Sequence, residues 1–92
     1  MNIELTGDYD KMYRELALEK NPLKTRVVTC IRLFKENPND TRLDNHPLKK
    51  SMNGRWAFSV TDDIRIVYKW MGKTTVRFLA IGHHGQVYKK LS

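Results

Sequence analysis

Arg55-Trp56-Ala57-Phe58-Ser59-Val60 is followed by Thr61-Asp62-Asp63, and then by Ile64-Arg65-Ile66-Val67-Tyr68-Lys69. In the first run Trp56, Phe58 and Val60 alternate with Arg55, Ala57 and Ser59. In the second, Ile64, Ile66 and Tyr68 alternate with Arg65, Val67 and Lys69. A period of two belongs to a strand, whose successive side chains point to opposite faces. Thr61-Asp62-Asp63 supplies a turn between the runs. Met71-Gly72-Lys73 makes a second tight connection. A third β-rich run goes from Thr74 to Ile81, setting Val76, Phe78 and Ala80 against Arg77 and Leu79. Three strands joined by short turns form an antiparallel meander. A meander is marginal by itself, so one of its faces must be covered.

The cover lies upstream. Ile3-Glu4-Leu5 reads as a short opening strand, broken by Thr6-Gly7-Asp8, with Asp8 as the expected N-cap. Tyr9, Met12, Tyr13, Leu16 and Ala17 then recur at helical spacing. Asn21-Pro22 is expected to end that helix and start another, with Asn as cap and Pro at the first helical position. Leu23, Val27, Cys30, Ile31 and Phe34 form the apolar stripe of the second helix. Asn37-Pro38-Asn39-Asp40 breaks it. A polar loop continues through Asn45 to His46-Pro47-Leu48-Lys49-Lys50, and Asn53-Gly54 marks a turn. Gly82 to Gly85 reads as a loop, and Gln86 to Leu91 as a short terminal strand or helical turn. The order β-α-α-β-β-β predicts one α+β domain over residues 1–92, a helical hairpin packed on one face of a small antiparallel sheet.

The chain has 92 residues, with 17 Lys and Arg against 10 Asp and Glu, for a formal charge of +7. That field favours a polyanionic partner: nucleic acid, or an acidic protein segment. A single cysteine, Cys30, excludes an internal disulfide and a cysteine-based zinc cluster, and fits a reducing compartment. No apolar run reaches membrane-spanning length, and the first residues lack the order of a signal peptide. The expectation is a cytoplasmic protein with no membrane partner.

All three histidines, His46, His83 and His84, fall near the sheet, with Asp63 and Arg65. Cleaving RNA requires a group that takes the proton from the 2′-OH, one that protonates the leaving 5′-oxygen, and cations for the crowded phosphate. His46, His84, Asp63 and His83 are candidates for the proton roles. Arg65, Lys49, Lys50 and Arg55 are candidates for the cation. Arg65 stands mid-strand among apolar neighbours, where a guanidinium presents a fixed fork to phosphate. The alternative places it on a solvent face, paired with Asp63. His46 precedes Pro47, which biases its backbone to an extended form. Tyr88 is suited to stacking on a base, or equally to closing the core edge. Lys89 and Lys90 suit a phosphate backbone or plain solvation. Adjacent His83 and His84 with no cysteine or close carboxylate do not make a zinc set, so no metal and no cofactor is implied.

Taken together, the helical hairpin, His46-Pro47-Leu48, Trp56, Asp62-Asp63-Ile64-Arg65-Ile66-Val67-Tyr68, Ile81-Gly82-His83-His84 and Val87-Tyr88 resemble the RelE/ParE superfamily of bacterial type II toxins, nearest its YafQ-like branch. The resemblance implies a metal-independent endoribonuclease that cuts messenger RNA on the ribosome. It implies catalytic roles for His46, Asp63, Arg65, His84 and Tyr88, with Lys49, Lys50, Arg55 and Lys89 along the RNA backbone. It also implies a neutralising antitoxin, acidic and partly disordered before binding. The YafQ-like pattern has a further histidine on the strand before the aspartate, where Ser59 stands here. His83 matches no role in the pattern. A ParE-like gyrase poison shares the fold and charge but needs no acid–base set. A non-catalytic RNA-binding or degenerate toxin module is the third reading, and it makes the histidines replaceable.

Overall fold

The computed structural model describes residues 1–19 and 23–91, with side chains up to Lys89 at the C-terminal end. The expected cap and helix start at Asn21-Pro22 lie outside the described residues. The elements are β1 (Asn2–Leu5), α1 (Gly7–Glu19), α2 (Leu23–Glu36), β2 (His46–Pro47), β3 (Trp56–Ser59), β4 (Ile64–Trp70), β5 (Thr75–His83) and α3 (His84–Leu91). Short 3-10 turns at Thr41–Leu43 and Lys50–Met52 shape the connection before β3.

The strands form one sheet in the order β1-β5-β4-β3-β2. The meander β3-β4-β5 is antiparallel, as its alternation predicts. β1 adds to the far edge, parallel to β5, with Ile3 opposite Val76, so the sheet is mixed. Thr6 fastens this edge. Its Oγ1 donates to the carbonyl of Phe78 at 2.9 Å and accepts from the N–H of Tyr9 at 3.1 Å. Thr6 is therefore the N-cap of α1, and Asp8 is not: the helix starts two residues earlier, and Asp8 falls in its first turn beside Asp10. Both carboxylates there suit the positive end of the helix dipole.

The helical hairpin buries most of its expected stripe, Tyr9, Met12 and Leu16 from α1 and Leu23, Val27, Cys30 and Phe34 from α2, while Tyr13, Ala17 and Ile31 are half-buried at its margins. Phe34 stacks on Phe58 with ring centroids 4.5 Å apart and meets Tyr68 edge-on at 4.9 Å. Residues opposed across a ladder share a face. The face under the hairpin therefore carries Phe58, Ile66 and Ile81, with Tyr68 beside Phe78.

A bulge disturbs the expected alternation of β5. Val67 opposes Ala80 and Tyr68 opposes Phe78, which leaves Leu79 as the extra residue. Ala80 and Gly82 thereby move off the face of Phe78 onto the opposite one, with Ala57 and Val67. That second face is also buried, because Ala57, Val67 and Ala80 have no exposed surface. Its covering includes α3. A Cβ on Gly82 would lie 2.8 Å from Gln86 Oε1 and 3.3 Å from Val87 Cγ1, so the missing side chain lets this helix approach the sheet. The expected loop at Gly82–Gly85 is instead the end of β5 and the start of α3. Pairing of Ile64 with His83 and capture of the His84 N–H by the Asp63 carbonyl at 2.9 Å override the turn-like Gly-His-His-Gly sequence.

Candidate active site

Two rows of residues cross the α3 face of the sheet. One is His46-Ala57-Val67-Ala80, and the next is Ser59-Arg65-Gly82. His46 and Arg65 thus share a face. They stand two strands and about two residues apart, roughly 12 Å between Cα atoms by ordinary sheet spacing. His46 lies in a short edge strand rather than a free loop, paired with Ala57.

The segment before His46 is held at several points. Asp40 caps the first 3-10 turn, accepting from the Arg42 N–H at 3.0 Å, and it also pairs with the Arg42 guanidinium at 2.7 Å. These bonds bring the Asp40 carboxyl down to about 2. Leu43 is fully buried, and Asp44 turns the chain with a left-handed φ of 49°. The buried Tyr68 hydroxyl donates to Asn45 Oδ1 at 2.8 Å. Burial pushes that phenol up to about 12, so it remains a donor. His46 Nδ1 sits 2.7 Å from the carbonyl oxygen of Asp44. A carbonyl only accepts, so Nδ1 carries the proton, and in the neutral ring Nε2 keeps its lone pair.

Arg65 is half-buried, and its Nη1 donates to the carbonyls of Thr61 at 2.8 Å and Ile64 at 3.3 Å. Those bonds orient the guanidinium. Among the described residues no acceptor engages its Nε or Nη2. The exposed ring of His84 opens α3 and lies 4.5 Å from that of Tyr88, edge to face, one helical turn on. Lys49 and Lys50 are exposed beyond the β2 edge, Arg55 is half-buried before β3, and Lys89 is exposed on α3. Ser59 opposes Arg65 across the ladder.

Asp63 occupies the joint. One carboxylate oxygen, Oδ2, pairs with His83 Nδ1, and the other is 3.4 Å from the His84 N–H. His83 Nε2 is 3.6 Å from Glu19 Oε2 at the end of α1. The bond to His83, with help from the His84 N–H, holds the Asp63 carboxyl below its usual range. The bond to Asp63, with Glu19 beyond it, raises the His83 imidazole. Asp63 therefore pairs with His83, and not with Arg65 as the alternative reading had it. The sequence offers His83 as a candidate for a proton role and gives Glu19 none; the structure sets His83 between the carboxylates of Asp63 and Glu19. The β4–β5 register puts His83 opposite Ile64 and so on the hairpin face. Among the described residues, no three His, Cys, Asp or Glu side chains gather as a metal set, and no helix is long and apolar enough to cross a membrane.

The His83–Asp63 pair predicts a definite stability profile. The folded His83 value is raised above the unfolded one, about 6.5. Its contribution is complete below that pH and is lost as pH rises through the folded value. The folded Asp63 value is depressed below the unfolded one, about 3.9. Its contribution is present above that pH and is lost as pH falls through the folded value. The melting-temperature difference between the wild type and His83→Gln is thus expected to peak between about pH 4 and 6.5 and to shrink on both sides. A difference that stays flat across thermal melts from acid to alkaline pH contradicts the pair.

Residues 1–89 match the model of the YafQ family, bacterial toxins of type II toxin–antitoxin systems. The chain belongs to the YafQ toxin family. No curated protein matches it. Among solved structures, YafQ from E. coli strain BL21(DE3) is 24% identical and superposes with a TM-score of 0.79, covering 95% of this chain and 97% of that one. A YoeB/ParE toxin from Agrobacterium tumefaciens is 22% identical with a TM-score of 0.77, over 91% of this chain and 99% of its own. The toxin in the E. coli DinJ–YafQ toxin–antitoxin complex is 25% identical with a TM-score of 0.77, covering 95% and 96%. These likenesses carry the α+β fold. Membership of the YafQ family makes the chain a type II toxin.

Proposed function

We propose that this YafQ-family toxin is an endoribonuclease that cuts messenger RNA on the ribosome by acid–base chemistry needing no metal. The observation that carries the reading is the gathering, on one face, of a histidine whose Nδ1 is fixed as donor, an oriented arginine and a second histidine beside an aromatic ring. His46 Nε2 takes the proton of the 2′-OH, and the 2′-oxygen attacks phosphorus. Arg65, with Lys49 or Lys50, stabilises the added negative charge. His84, in its protonated form, gives a proton to the 5′-oxygen as the P–O5′ bond breaks, leaving a 2′,3′-cyclic phosphate. Tyr88 orients the scissile nucleotide by stacking. Arg55 and Lys89 border the path of the RNA backbone. Asp63, already ion-paired and held low, serves as an anchor for His84 rather than as a base.

An open site built from exposed and half-exposed side chains leaves substrate alignment to the ribosome. The neutralising partner is an acidic antitoxin that orders as it covers the basic face, in keeping with the DinJ–YafQ complex of the relative. Inducible expression in bacteria, with primer extension on cellular messenger RNA, tests the reading. New ends inside translated regions are expected for the wild type and are expected to disappear in His84→Ala and Arg65→Ala. Growth arrest without new ends rejects the nuclease and points to a protein target such as gyrase.

A further inference from the structure

We propose that His83, bridged between Asp63 and Glu19, is the positioning residue that sets where His84 and Tyr88 stand. Its functional consequence rests on the nuclease reading, whereas its geometric content does not. His83 and His84 are neighbours in sequence but serve opposite sides of the sheet. Pairing with Ile64 turns His83 toward the helical hairpin, while His84 opens α3 on the other face. One side chain links them. Asp63 Oδ2 holds the His83 ring, and Asp63 Oδ1 and carbonyl both face the His84 N–H. That N–H is among the donors that a helix start leaves without an internal partner, so the Asp63 contact fixes the direction in which α3 leaves the sheet.

The second nitrogen of His83 faces Glu19, which ties the same joint to the end of α1. Each ring nitrogen thus looks onto a carboxylate, Nδ1 bonded to Asp63 and Nε2 at ion-pair distance from Glu19, and only the doubly protonated ring is a cation facing both. The charged groups around it are Glu19 from α1 and Asp63 from the turn before β4, with Arg65 of β4 also acting on Asp63. When the ring loses a proton, one of the two bridges fails. Asp63 is then held less firmly, and so is the first turn of α3. That turn sets the edge-to-face contact of His84 and Tyr88.

The experiment compares the full chain with His83→Gln and His83→Arg. Arginine keeps a cation between the carboxylates at every accessible pH, whereas glutamine does not. Proton NMR follows each histidine ring and the Tyr88 ring from acid to alkaline pH. In the wild type, the Tyr88 signals are expected to respond at a second midpoint, shared with the His83 ring and above the ordinary histidine value. His83→Gln is expected to lose that midpoint and displace the Tyr88 signals. His83→Arg is expected to hold the wild-type position throughout. In single-turnover cleavage of messenger RNA on programmed ribosomes, His83→Gln is expected to slow kcat by roughly 10- to 100-fold with little change in KM, the scale of a misplaced catalytic group. His83→Arg is expected to restore the rate and extend the alkaline limb. Tyr88 signals unmoved in His83→Gln, or equally displaced in both variants, overturn the proposal. Wild-type protein that cuts no RNA rejects the nuclease reading, and the NMR comparison still decides the positioning role.

Discussion

Replacing His46 by alanine is expected to slow messenger-RNA cleavage by roughly 10²- to 10⁴-fold, the range lost with a general base. The ring is half-exposed at the sheet edge, so its removal opens no core cavity, and stability should change by about 0.5 kcal/mol or less. The argument rests on the Nδ1 bond to the Asp44 carbonyl, which gives that nitrogen the proton and leaves Nε2 as the acceptor of the neutral ring. His46→Asn separates holding from chemistry. Its amide nitrogen stands near the place of Nδ1 and can still donate to Asp44, but nothing replaces the Nε2 lone pair. His46→Asn should therefore be as slow as His46→Ala in single-turnover assays while melting like the wild type. Near-normal cleavage by His46→Asn would assign the proton abstraction elsewhere, with Asp63 the first suspect.

The meander was legible because alternation is local. Trp56 to Tyr68 carries its own period, and its turns carry their own chemistry. The hairpin stripe from Tyr9 to Phe34 was legible for the same reason. What escaped depends on pairing between distant segments. β1 looked like a strand, but its parallel partner lies more than seventy residues away, at Thr75–Phe78. The bulge at Leu79 is set by the match of β5 to β4, and it reverses the facing of everything beyond it, His83 included. Thr6 outcompetes Asp8 as cap because its hydroxyl also reaches the Phe78 carbonyl, a contact made only in the folded sheet. His46, Arg65, His84 and Tyr88 were each visible as chemistry-bearing types at marked positions. The Asp63–His83–Glu19 bridge was not, since its three residues come from a helix end, a turn and a strand end brought together only by the fold.

Phe34→Ala is expected to have the largest effect on stability, a loss of about 3–5 kcal/mol. The side chain is fully buried and is the one aromatic of the hairpin's second helix set among Phe58, Tyr68 and Phe78. Truncation removes apolar burial and the ring-on-ring geometry, and the surrounding rings cannot all collapse into the space. A domain of 92 residues has only roughly 5–14 kcal/mol in total. At about 4–8 °C per kcal/mol, the melting temperature should fall by roughly 12–40 °C. The loss is expected to reach the site through global stability, and a second, geometric route stands beside it to be tested. Tyr68, which packs edge-on against Phe34, donates the hydrogen bond that holds Asn45 next to His46. Phe34→Ala and His46→Ala should therefore both weaken cleavage, for different reasons that temperature separates. Cooling refolds the core variant, so its cleavage should recover toward the wild type well below its melting temperature. Cooling does nothing for a missing base, and His46→Ala should stay slow at every temperature. Circular dichroism melts run beside the cleavage assay make the comparison. A Phe34→Ala protein that is folded at low temperature yet still inactive would show that the Phe34–Tyr68 packing sets the geometry of His46 and does not act through stability alone.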